Sequence, residues 1–204
     1  MKPNLKNEPD VTIQVVNNTQ DVIRAMLYLA DIEPSAKNYM IGAWKHGDLG
    51  PQDVLSTKLS YDLAVGAIHQ IPDMKITSPL KDAAQNDRFV INNYPESTAL
   101  KIDKEAKVNV DGTITITNNC NSYEWGLFYK SGQPAIAVEL GYKDYESTLI
   151  KPKIGLALVR NEITSDFIDA ATFSHKDVFD LSNQSRLTIN VNKNIATGEY
   201  IFYR

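Results

Sequence analysis

From Leu187 to Asn192 the chain alternates strictly: Leu187, Ile189 and Val191 are aliphatic, while Thr188, Asn190 and Asn192 between them are polar and uncharged. Successive side chains of an extended backbone point to opposite faces, so this order makes one face greasy and the other wet. A strand of that kind is stable only when its greasy face is covered by a second layer. Runs with the same character, rich in Val, Ile, Thr, Tyr and Phe and bounded by Asn, Asp, Gly and Pro, occur at 11–15, 23–29, 52–59, 88–91, 106–109, 113–117, 123–130, 135–140, 154–159 and 199–203. So many short strands predict an all-β chain, an antiparallel two-sheet β-sandwich forming one domain over residues 1–204. Helical signal is confined to 34–44, 79–86 and 165–171, which are expected to be short connecting helices.

The Asp111-Gly112 pair is the strongest turn signal. A two-residue turn there would oppose Val108 and Val110 to Thr113 and Thr115, mixing apolar with polar on one face. A three-residue loop of Val110, Asp111 and Gly112, with Gly112 left-handed, instead sets Val108 against Ile114 and Ala106 against Ile116. The expectation is that second hairpin.

The chain also echoes itself. Ile13-Gln14-Val15-Val16-Asn17-Asn18-Thr19, followed by Tyr28, matches Ile114-Thr115-Ile116-Thr117-Asn118-Asn119-Cys120, followed by Tyr129, at a constant offset of 101 residues. Each copy has a strand, an Asn-Asn turn that tolerates left-handed backbone, and a second apolar strand. Either β-turn-β units converge on such residues, or the chain contains an internal repeat of 11–102 and 112–204 and folds as two similar halves.

Composition narrows the function. With 21 basic against 25 acidic residues and a net charge of −4, no stretch concentrates Lys and Arg, so a nucleic-acid partner is not expected. Cys120 is the single cysteine: no internal disulfide forms, and no Cys/His cluster has zinc spacing. Residues 1–10 lack the apolar core of a secretory signal, and no run approaches the roughly 20 apolar residues of a membrane span, so a cytoplasmic location is expected, with non-classical export left open.

Catalytic signatures are missing. His46, His69 and His175 lie far apart, with no HExxH, GxSxG or Gly-rich phosphate loop. His46 and His175 sit in polar surroundings that suit solvated residues. Nothing adjacent in sequence would deprotonate Cys120, which reads as an inert thiol. The loop acids Asp82, Asp87, Asp144, Glu146, Asp166, Asp169, Asp177 and Asp180 follow no calcium-loop spacing, and neither a metal nor a cofactor is expected.

Aromatic residues are the better candidates. Tyr123, Trp125, Tyr129, Tyr142 and Tyr145 lie on or near two successive strands, and Trp44 stands in a polar segment. Rings on both strand faces cannot all be core, so one set should reach the surface, where amphipathic rings recognise carbohydrate, lipid headgroups or protein; the alternative is that Trp125 fills the core. The uncharged rows Thr113, Thr115, Thr117 and Thr188, Asn190, Asn192 are either solvated, covered by a loop, or faces for a homo-oligomer.

The segments Val15-Val16-Asn17-Asn18-Thr19, Tyr28-Leu29-Ala30-Asp31 and Gly42-Ala43-Trp44-Lys45 resemble the opening of the RhiA-like proteins of rhizosphere bacteria, and the broader style is similar to aegerolysin-like proteins. Lys153-Ile154-Gly155-Leu156-Ala157-Leu158, residues 163–169, and Thr197-Gly198-Glu199-Tyr200-Ile201-Phe202 resemble the closing hairpins of the same sandwich. The likeness covers about the first and last fifty residues, and 71–104 has no counterpart in it. It implies a non-enzymatic, abundantly made protein; aegerolysins are shorter lipid binders, and none of their binding residues maps onto this chain. The function expected is binding of a glycan, lipid headgroup or protein partner, without catalysis. The alternatives are a self-assembling cytoplasmic inclusion, crystalline or filamentous, and a hydrolase built from His46, His175 and loop acids.

Overall fold

The structure, a computed structural model, describes residues 10–30, 38–71, 74–93, 99–160, 163, 167–168 and 173–204. Among the described residues there is no helix. The strands are β1 (Val11–Asn17), β2 (Ile23–Leu29), β3 (Tyr39–Gly42), β4 (Lys45–Leu49), β5 (Val54–Leu59), β6 (Leu63–Ile71), β7 (Met74–Thr77), β8 (Lys81–Ala83), β9 (Arg88–Asn93), β10 (Leu100–Lys104), β11 (Ile114–Asn118), β12 (Glu124–Lys130), β13 (Gln133–Leu140), β14 (Tyr145–Thr148), β15 (Lys153–Val159), β16 (Phe167–Ile168), β17 (Phe173–Asp180), β18 (Arg186–Lys193) and β19 (Tyr200–Tyr203). The all-β expectation holds.

The chain divides into two compact units. Unit 1 comprises Met1–Ala30, Ala43–Tyr61 and Pro152–Arg204; unit 2 comprises Asp31–Gly42 and Asp62–Lys151. Unit 1 contains two four-stranded sheets, ordered β19-β18-β1-β5 and β17-β15-β2-β4. Unit 2 contains β10-β9-β11-β14 and the strands β3, β13, β12, β6 and β7, paired in that order, of a seven-stranded sheet, with β8 also paired to β6.

The two units share one strand plan. In unit 1, β1 lies between parallel β18 and antiparallel β5; in unit 2, β11 lies between parallel β9 and antiparallel β14. Likewise β2 is flanked by antiparallel β15 and β4, and β12 by antiparallel β6 and β13. Registers correspond as well: Gln14 faces Thr188 and Ser56, while Thr115, 101 residues later, faces Arg88 and Ser147. What differs is chain order. The strands β1, β2, β4 and β5 open unit 1, whereas their counterparts β11 to β14 close unit 2.

Alternation decides which faces are buried. Val11, Ile13 and Val15 of β1 are fully buried, and Leu187, Ile189 and Val191 of β18 beside them are at most 3% exposed. β2 and β15 are apolar on both faces and are buried along nearly their whole length. Each Leu, Ile or Phe hidden in this way contributes about 1.5–3 kcal/mol by leaving water; Phe89 and Phe128 are the largest such side chains.

Several local expectations fail. Residues 79–86 form no helix but β8 and a turn, and residues 39–42 of the 34–44 segment form β3. Residues 34–37 lie outside the described residues, and of 165–171 only Phe167–Ile168 is described, as a strand. The Asp111-Gly112 hairpin is absent. Residues 106–109 form no strand, Val108 and Val110 are 55% and 97% exposed, and β11 takes β9 and β14 as partners instead. The loop is held by polar bonds: Asp111 accepts from the Thr113 amide and hydroxyl, and Asn109 Nδ2 donates to Thr113 and Thr115. Gly112 does adopt the left-handed backbone, with φ of 85°.

Candidate functional site

The candidate site is built on two buried asparagines. Asn17 ends β1 and is fully buried; its Nδ2 donates to the carbonyls of Asp21, Leu49 and Gly50, while its Oδ1 accepts from the Thr19 amide and hydroxyl. Asn118 ends β11, is equally buried, and repeats the scheme: Nδ2 donates to the Ser122 and Leu140 carbonyls, and Oδ1 accepts from the Cys120 amide. The neighbouring turns match in detail. Asp53 caps the Gly50 amide at 2.7 Å and Asp144 caps the Gly141 amide at 3.1 Å, with Gln52 and Lys143 left-handed at φ of 68° and 66°. Since a buried amide or carbonyl without a partner is costly, each Asn locks two turns together at the end of its unit.

The side chains displayed on these equivalent ends differ. In unit 2, Tyr123, Tyr142 and Tyr145 are 69%, 54% and 63% exposed. The corresponding positions of unit 1 hold Val22, Pro51 and Val54. A Cβ added at Gly141 would lie 2.8 Å from the capping Asp144 carboxylate and 3.3 Å from the Tyr123 ring, which places that ring against the turn. The Lys143 ammonium stands 5.0 Å over the centroid of Tyr142 and also donates to Asn119 Oδ1. Tyr145 is paired with Thr117 beside the Asn118 turn. The surface therefore carries three tyrosines, a cation and amide groups.

Behind it lies a polar cluster that sequence reasoning passed over. Glu124 is 1% exposed; its carboxylate accepts from Ser122 Oγ at 2.6 Å and lies 3.1 Å from His69 Nδ1 through both oxygens. The equivalent residue of unit 1 is Ile23, so a carboxylate stands at a core position, and the 101-residue offset was the signal that could have marked it. This is not a nucleophilic triad, because the serine hydroxyl donates to the acid rather than to the imidazole. Nearby Cys120 is buried, and desolvation, reinforced by the Glu124 charge, pushes its thiol up to about 11. It is a poor nucleophile.

The other expected site residues are distributed differently. Trp44 is 2% exposed, which corrects its placement on the surface, and its Nε1 has no hydrogen-bond partner among the described residues. Trp125 and Tyr129 are half-buried. His46 on β4 and His175 on β17 occupy opposite edges of one four-stranded sheet, about 14 Å apart across three strand spacings. They are not brought together. Asp87, Asp144 and Asp180 are engaged by backbone amides, and Asp87 also by Lys104, so they act as turn and pairing residues. Asp166 and Asp169 lie outside the described residues. Among the described residues no group of His, Cys, Asp and Glu is arranged to hold a metal. Thr115, expected on a wet face, is buried beneath Asn109 and bonded to Ser147, whereas Thr188, Asn190 and Asn192 are half-buried.

Among the described residues no helix is long and apolar enough to cross a membrane. No family model, no curated protein and no solved structure matches this chain.

Proposed function

We propose that the protein is a non-catalytic carbohydrate-binding protein whose recognition surface is formed by Tyr123, Tyr142 and Tyr145, with Lys143 and Asn119 beside them. On this reading each unit is a two-sheet sandwich, and the sandwich end of unit 2 has been adapted for contact. The observation that carries it is the difference between equivalent ends: three exposed tyrosines on unit 2 against Val22, Pro51 and Val54 on unit 1. A tyrosine offers a flat apolar face and a hydroxyl on one rigid side chain, which suits a ligand that is apolar on one face and hydroxylated at its edge. Neither end needs such rings for stability, because unit 1 forms the same locked turns without them. The likeness to RhiA-like and aegerolysin-like proteins supports a binding role without chemistry.

A glycan array followed by calorimetry on the best glycan tests the proposal. Tyr123→Ala or Tyr145→Ala should weaken binding at least about tenfold, as for a central interface ring, with an unchanged urea midpoint. Val54→Ala, at the matching position of unit 1, should leave binding alone. Binding to vesicles or to protein with no glycan retained, or glycan binding indifferent to both tyrosines, would overturn it.

A further inference from the structure

We propose that residues 11–102 and 112–204 are tandem copies that have exchanged halves, and that the C-terminal half from Pro152 onward passes between chains, so that unit 1 also forms from two copies of this protein. Write each copy as a first half and a second half. The first halves are β1, β2, β4 and β5, and β11 to β14; the second halves are β6 to β10, and β15 with β17 to β19. Equivalent pairings show that either type of half is built alike in both copies: β1 with β5 as β11 with β14, and β18 with β19 as β9 with β10. Yet unit 1 combines the first half of copy one with the second half of copy two, and unit 2 combines the remaining two.

The consequence lies in how each unit is closed. In unit 2 the two halves are consecutive in the chain, joined by residues 105–113 between β10 and β11. In unit 1 they are joined only through residues 62–151, which are themselves folded as unit 2. Its seam is entirely non-covalent. Among the described residues the seam includes the parallel β1–β18 ladder, the antiparallel β2–β15 ladder, the Asn18 amide on the Val191 carbonyl, and the Tyr28 ring over Gly155 and 5.0 Å from Phe173. Asp21 binds Lys193 at 2.7 Å and Tyr200 at 2.9 Å, and Arg186 donates to Gln14. None of these contacts depends on both halves belonging to one chain. A second copy supplies an identical C-terminal half, making exchange a route to dimers or, if it does not close, to open chains of copies.

The partner is therefore a second copy, and a cross-link across the seam reports it. Gln14 and Thr188 are direct β1–β18 neighbours. In a full-length Cys120→Thr background, Gln14→Cys with Thr188→Cys is unfolded, refolded at increasing protein concentration and oxidised. The fraction linked between chains should rise about tenfold for each tenfold rise in concentration while exchanged species are minor, because only the intermolecular closure is second order. Intrachain links alone at every concentration would overturn the proposal. Because the cysteine pair could disturb folding, a second experiment mixes full-length Val15→Asp with full-length Ile189→Asp. Each variant lacks one sound half of unit 1, and the mixture should gain a dimer-sized species that neither gives alone. Absence of that species from the mixture would overturn the proposal as well. Glycan binding plays no part in either readout.

Discussion

Units 1 and 2 share the pairings around β1 and β11 and around β2 and β12, and the same buried asparagine at the same turn, but they differ in what they expose and in how they are closed. Asn17 and Asn118 hold the scaffold, while the positions around them are free to vary, from Val22, Ile23 and Val54 to Tyr123, Glu124 and Tyr145. Structure is conserved where a polar group must be satisfied in the interior. Difference is tolerated where side chains reach water.

The asparagines provide the largest test. Asn17→Ala removes five hydrogen bonds, to the Asp21, Leu49 and Gly50 carbonyls and from the Thr19 amide and hydroxyl, although the Asp21 carbonyl keeps the Thr19 hydroxyl and the Gly50 carbonyl keeps the Asp53 amide; Asn118→Ala removes three, to the Ser122 and Leu140 carbonyls and from the Cys120 amide. At about 0.5–1.5 kcal/mol for each hydrogen bond lost, both should lose several kcal/mol in urea unfolding. Asn17→Ala should lose more, and equal losses would break the bookkeeping of partners.

A smaller contrast concerns glycine. A Cβ on Gly155 would fall 2.1 Å from the Tyr28 ring, while the equivalent pair in unit 2 is Ala64 with half-buried Tyr129. Gly155→Ala should therefore cost about 1–3 kcal/mol as an overpacked site, and Ala64→Gly about 0.5–1 kcal/mol from backbone entropy. The reverse order would show that Tyr28 does not lie over Gly155.

The thiol sharpens the comparison at the turns, where Cys120 occupies the place of Thr19. Its pKa of about 11 against an ordinary 9.0 means that thiolate is about a hundredfold scarcer at neutral pH. A thiol-reactive dye should label native protein at least about a hundredfold more slowly than unfolded protein, with the rate climbing as pH rises toward 11. Equal rates would place Cys120 outside the interior.

The smallest effect is at Asp21. Hydrogen bonds from Lys193 and Tyr200 hold its carboxyl below the ordinary 3.8. A depressed carboxylate pKa stabilises the fold above the unfolded value, and that contribution is lost as pH falls through the folded value. Asp21→Asn should slightly weaken the unit 1 seam at pH 7 and make its stability less sensitive to acid below pH 4, as followed by thermal unfolding. Because the pair is exposed and screened by water, the change at pH 7 should be small.

Much of this was legible in the chain. The alternation at 187–192 correctly placed Leu187, Ile189 and Val191 inside, and the matched residues around Asn17 and Asn118 marked the two turns that hold the ends. The β1–β18 pairing was not legible, because β1 takes its parallel partner from about 174 residues away, and local pattern carries no information on such pairing. The echo also weakened past β2. The connection from β2 to β4 is longer than that from β12 to β13, so the offset falls by ten, from 101 to 91 between Gly50 and Gly141. Ala106 and Val108 suggested a buried hairpin face, but Asn109 and Asp111 gave the loop polar bonds of its own. Trp44 lay among polar residues in sequence and inside in space, since tertiary packing overrides neighbours along the chain.

β1 takes β18 as its parallel partner and not β9. Cross-linking of dilute, native full-length protein tests it directly. Gln14→Cys with Thr188→Cys should oxidise rapidly to an intrachain link, while Gln14→Cys with Arg88→Cys, the matching residue of β9, should not. Rapid linkage of the Arg88 pair, with Thr188 unreactive, would contradict the account.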